Sequence, residues 1–151
     1  MLRTDLNDAL KTALKAKDAR TAATLRLILA ALKDRDIAVR SEGNSDGISD
    51  EQIQQMLQKM ARQSREAAET YSEGGREDLA EKERQEIQVI ERFLPKQLDE
   101  EEIRTAVDDT MEEVGADSVK DMGKVMSRLR EKYAGRMDFS KASAIAKEKL
   151  T

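Results

Sequence analysis

A chain of 151 residues that is 38% charged and 38% hydrophobic, with a net charge of −4, fits one ordinary domain or two small ones and is globular in balance, not disordered. It has no cysteine, so disulfides and thiolate chemistry are excluded. It has no histidine, which removes the commonest near-neutral base and metal ligand, and with them Ser-His-Asp, Cys-His and zinc-His sites.

One proline and 3% aromatic residues point to helices almost throughout, because sheets favour β-branched and aromatic side chains. In the first predicted helix Leu2, Leu6, Leu10, Ala13 and Leu14 recur at helical spacing, and Lys17-Asp18 breaks it. Acids among these apolar residues do not fit a signal peptide. The second helix runs to about Arg40 with Leu25, Ile28, Leu29, Leu32 and Ile37 inward, and a Ser/Asn/Asp/Gly cluster over 41–47 ends it. Its run Leu25 to Leu32 is short and holds Arg26, so no membrane span is expected and the cytoplasm is the default address.

Ser49 and Gln52 form a capping box, with Ile48 placed to staple onto Ile53. That third helix is expected to bury Ile53, Met56, Leu57, Met60, Ala67 and Tyr71 before Gly74-Gly75 stops it. A fourth, from about Arg76 to Phe93, is carried by Leu79, Ile87, Ile90 and Phe93, and Pro95 closes it. The start signal then recurs: Asp99 caps, Glu102 lies three residues on, and Leu98 can staple onto Ile103. Ile103, Val107, Met111 and Val114 form the stripe and Gly115 stops it. A helical segment from Ala116 leads into a helix with Met122, Val125, Met126, Leu129 and Tyr133 on one face, and a last helix carries Phe139, Ala142, Ile145 and Leu150. The expected fold is all-α: an N-terminal helical bundle over 1–94 and a small C-terminal helical domain over 99–151, divided at the Pro95–Leu98 joint.

Charge is segregated in the second part. Residues 99–117 hold one arginine against nine acids, a balance of −8, whereas residues 118–151 hold nine bases against four acids, a balance of +5. Acids in the first turn at Asp99 to Glu102 stabilise the helix dipole and do not suggest a metal site. The pairs Asp108-Asp109 and Glu112-Glu113 could hold magnesium weakly but read as solvation. Lys124, Arg128 and Lys132 recur every four residues along one side of a helix, with Lys120, Arg130 and Arg136 nearby. A glycine inside a helix costs about 1 kcal/mol relative to alanine, so Gly123 marks close approach of the backbone to something. Spacing alone leaves two candidates: another helix of the same domain, or a phosphate met by amides near a helix start with Lys124 beside it. Arg26, Lys33 and Arg40 recur every seven residues, but Asp34 and Asp36 interrupt them, and that face reads as solvated.

The stretch from Gly75 to Ile103, the run Asp121 to Leu129 and the turn Gly135 to Asp138 together resemble the YqeY proteins, whose C-terminal region is similar to the tail domain of GatB, a subunit of the tRNA-dependent amidotransferases. The resemblance covers nearly the whole chain, with Leu94-Pro95-Lys96-Gln97-Leu98 and Asp121 to Met126 its most specific parts. It implies an N-terminal helical bundle with a tail-like C-terminal domain, and it implies tRNA as partner, together with an amidotransferase or aminoacyl-tRNA synthetase complex. That family is associated with carbon-nitrogen ligation using glutamine as nitrogen donor. Carried over, Gly123 and Lys124 become the RNA contacts; helical geometry adds Arg128, with Lys120, Lys132 and Arg136 around them. The chain lacks the serine-lysine amidase motif, the acyl-tRNA-activating domain and a phosphate-binding glycine loop, so no catalytic residue and no cofactor is expected. The alternative is a helical protein-interaction adaptor that binds no RNA.

Overall fold

The computed structural model describes residues 1–151 as seven α-helices and one 3₁₀ turn, with no strand. The chain is all-α. It falls into two compact units, Met1–Pro95 and Lys96–Thr151.

In the first unit α1 (Leu2–Lys15) pairs with α2 (Ala19–Arg40), and α3 (Asp50–Glu73) pairs with α4 (Glu77–Glu91), while α2 also packs on α4. The break after α1 is made by Lys17, whose φ of 58° lies in the left-handed region that few side chains favour, and Asp18 then accepts the Thr21 amide to cap α2. Leu6, Leu25, Ile28, Ile53, Met56, Leu57 and Ile90 are fully buried at the centre. The capping box of Ser49 and Gln52 forms with both hydrogen bonds present.

Not every expected core position is buried, and Met60 and Tyr71 on α3 are only half-buried. Ile37 on α2 is 50% exposed and Leu14 at the end of α1 is 48% exposed, because each lies at the edge of its stripe where no other helix covers it. On α3 Ala68, not Ala67, is the buried alanine, and on α4 Ala80 and Val89 are buried where Leu79 and Ile87 are only half-buried.

The chain is tied down at Ile48, where the loop over 41–47 ends. Asp36 on α2 accepts both Nη groups of Arg3, one at 2.7 Å, and also the Ile48 amide at 3.0 Å, while Arg3 donates to the Ile48 carbonyl at 2.9 Å. Gly47 has φ +85°, and a Cβ there would stand 2.5 Å from Asp36 Oδ1, so glycine is required both by conformation and by the closeness of this ion pair.

In the second unit α5 (Glu100–Val114), α6 (Met122–Tyr133) and α7 (Phe139–Leu150) pack pairwise as a three-helix bundle. Val107, Val125, Leu129, Met137, Ala142 and Ala146 fill its core. Asp99 and Glu102 form the second capping box, and Gly115 ends α5 with φ 67°. Between α5 and α6 the segment expected to be helical from Ala116 is shorter, a 3₁₀ turn over Val119–Asp121. Lys96, Gln97 and Leu98 belong to this unit: the Leu98 amide donates to the Arg136 carbonyl at 2.9 Å, Gln97 Nε2 donates to the Gly135 carbonyl, and Arg136 Nε donates to the Lys96 carbonyl at 3.3 Å.

One polar atom of this core has no partner, the hydroxyl of Thr110 on α5, whose residue is fully buried. A buried polar group without a hydrogen bond costs about 1–3 kcal/mol, and valine keeps the shape of threonine without it. Thr110→Val is therefore expected to stabilise the second unit by about 1 kcal/mol in a urea titration.

Candidate nucleic-acid interface

The turn into α6 sets the geometry. Asp121 stands at the N-cap position, but its carboxylate is turned back onto the preceding loop, accepting the amides of Asp117 at 3.0 Å and Ser118 at 3.4 Å. The Asp117 amide, first among these donors, holds the Asp121 carboxyl below the usual aspartate range. No side chain caps α6.

Gly123 and Lys124 occupy the first turn of α6 beyond it, both exposed. A Cβ built on Gly123 meets nothing within 4 Å. No helix packs against this glycine, so of the two readings its spacing allowed, close packing inside the domain is removed. Lys120, in the 3₁₀ turn, is exposed one turn earlier. The Asp121 charge lies close enough to Lys124 to interact with it, which tempers the positive field there.

The remaining bases are engaged. Arg128 Nε donates to Glu113 Oε1 at 2.9 Å and its Nη1 donates to Glu131 at 2.9 Å, while Lys132 donates to the other oxygen of Glu113. Lys132 first and then Arg128 hold the Glu113 carboxyl below its ordinary range. Arg130 stands over the Phe139 ring, 5.9 Å from its centroid. Arg136 is half-buried, with its Nε on the Lys96 carbonyl. The six candidate residues thus separate into an outward group at the head of α6, Lys120, Gly123 and Lys124, and a group engaged within the unit, Arg128, Lys132 and Arg136. From the sequence Glu113 reads, with Glu112, as a solvated carboxylate and not as the partner of these bases, because nothing in helical periodicity says that the end of α5 lies beside the middle of α6.

The first unit has its own features. On α2 the bases Arg26, Lys33 and Arg40 are exposed on the side that also shows Leu27, 54% exposed, and Ile37. A groove of about 680 Å³ lies between the start of α2 and α4, floored by Ala19, Ala23, Leu79 and Val89 with Lys82, Glu86 and Arg92 along it. Burial, and then the nearby Glu83, push the Glu86 carboxyl up. This groove had no signal in the sequence, since its two walls come from segments about sixty residues apart. No group of three or more acidic residues is placed to hold a metal ion, and no helix is long and apolar enough to cross a membrane.

An all-helical chain is what the resemblance implies. A family model for YqeY-like proteins matches residues 3–150, and the chain belongs to that family. Two relatives, each called altered inheritance of mitochondria protein 41, mitochondrial, come from Candida glabrata and Eremothecium gossypii; they are 32% and 30% identical over 89 residues, 59% of this chain. The aligned segments make up 47% and 46% of those relatives, so the match spans about half their length.

Proposed function

We propose that this YqeY-family protein is a cytoplasmic tRNA-binding module of translation, associated with glutamine-dependent amidation of acyl-tRNA and not catalytic alone. The second unit, similar to the GatB tail, is the part that meets RNA.

The observation that carries this reading is the open face of Gly123. A glycine lowers helix stability and here supports no packing, so its place next to exposed Lys124 fits a backbone approached from outside. Lys120 adds a second cation one turn away. Net charge is no obstacle, because phosphate binding follows the local patch.

The test is a titration of the full chain with tRNA across a salt gradient. Two phosphate contacts, at Lys120 and Lys124, give a slope of log affinity against log salt of roughly −1.4 to −1.8. Binding that is absent at low salt, or flat with salt, removes the reading.

A second reading rests on a different observation. Leu27 and Ile37 are half-exposed on one long helix, with exposed Ala23 and Ala30 between and beside them, a surface suited to a protein partner. If tRNA does not bind, an adaptor docking through α2 is the function to pursue.

A further inference from the structure

We propose that Glu113 is a built-in competitor for the RNA backbone, occupying Arg128 and Lys132 until a phosphate replaces it. This rests on the tRNA reading above and concerns how that same site is regulated.

Both oxygens of Glu113 are used, one by Arg128 Nε and the other by Lys132. Glu113 lies in the last turn of α5, where the helix dipole is negative and a carboxylate is intrinsically disfavoured. Cations beside it are therefore needed, and the two that serve also stand on the side of α6 that carries Lys124. All three groups are at the surface, where ion pairs contribute little net stability and side chains exchange partners readily. A phosphate brings anionic oxygens that can accept from Arg128 Nε and from Lys132 in place of the two Glu113 oxygens. Glu131, which holds Arg128 Nη1 from one turn along the same helix, keeps the guanidinium from swinging away when Glu113 lets go.

The arrangement makes the basic side of α6 weak towards isolated anions and stronger towards a polyanion that brings several phosphates at once. A single anion must displace Glu113 unaided. A strand already held at Gly123 and Lys124 presents the next phosphate at high effective concentration. Acidic pH is not the trigger, since the two cations keep the Glu113 carboxyl ionised below the ordinary glutamate range.

Glu113→Gln tests this in the full chain, with tRNA as probe and Lys124→Glu as the companion variant. Removing one opposing charge should tighten binding about five- to eightfold at 0.1 M salt and steepen the salt slope by about 0.7 to 0.9. Adding Arg128→Gln to Glu113→Gln should return affinity to near the wild-type value. Unchanged or weaker binding by Glu113→Gln, while Lys124→Glu still weakens it, overturns the competitor role and leaves the tRNA reading in place; Glu113 is then only a surface tie between α5 and α6. Absence of salt-dependent tRNA binding by wild type and Glu113→Gln alike overturns both.

Discussion

Lys124→Glu is expected to weaken tRNA binding about 25- to 60-fold at 0.1 M salt and to flatten the salt slope by roughly 1.4 to 1.8, because it exchanges one attractive charge for one repulsive charge at the phosphate. Helix content and unfolding temperature should not change, since no hydrogen bond or ion pair places Lys124 in the packing of the unit. Sequence preference should be unaltered too, as a phosphate contact positions RNA without reading bases. Gly123→Leu makes a clean companion. With nothing within 4 Å of the added Cβ, it should leave the fold intact or slightly more stable while blocking approach of the backbone to RNA. Charge reversal at Arg128 is a poorer probe, because it sets three carboxylates together around Lys132. Arg26→Glu, on the other unit, is the control and should do little. Binding by Lys124→Glu equal to wild type in gel-shift and fluorescence titrations would reduce the head of α6 to a solvated helix end.

The largest stability loss is expected from Asp36. Its carboxylate accepts Arg3 from α1 and the Ile48 amide at the entrance to α3, so three segments of the first unit meet on one side chain. Asp36→Ala leaves Arg3 and that amide without their acceptor and should cost about 2–4 kcal/mol, read from urea unfolding. Arg3, first among its neighbours, holds the Asp36 carboxyl below the usual aspartate range despite opposing desolvation. The sign follows: a depressed folded-state value means that the stabilisation is complete above the ordinary aspartate value near 3.8 and is lost as pH falls through the lower folded value. Asp36→Asn should therefore unfold more easily at pH 6 and show a shallower dependence on acid. Equal acid sensitivity of the two proteins would remove Asp36 from the account.

Where the chain starts and stops its helices was legible because those signals are local. Ser49 with Gln52 and Asp99 with Glu102 each need only four residues, and Gly115 needs only its own φ of 67°. Burial at stripe edges was not legible: Leu14 and Ile37 fit the helical period as well as their neighbours, and only the absence of a covering helix exposes them. The same limit applies to charge. Lys124, Arg128 and Lys132 are equivalent in spacing, yet Glu113 makes two of them different from the third, and Glu113 reaches them from a helix whose angle about its axis no period discloses. Gly47 reads as a loop glycine and Gly123 as the one that marks close approach, yet it is Gly47 that is packed against an ion pair and Gly123 that faces open space.

The stitch between Lys96–Leu98 and the turn at Gly135–Arg136 fixes where this protein can be cut and recombined. A fragment begun at the helix cap, Asp99, would discard a short extended segment that closes the turn after α6, although that segment looks like linker in the sequence. Begun at Lys96, the same fragment is a portable cassette whose first three residues are already part of its fold. Any host carrying it must therefore supply its own flexible residues upstream, because the cassette has no slack at its leading edge.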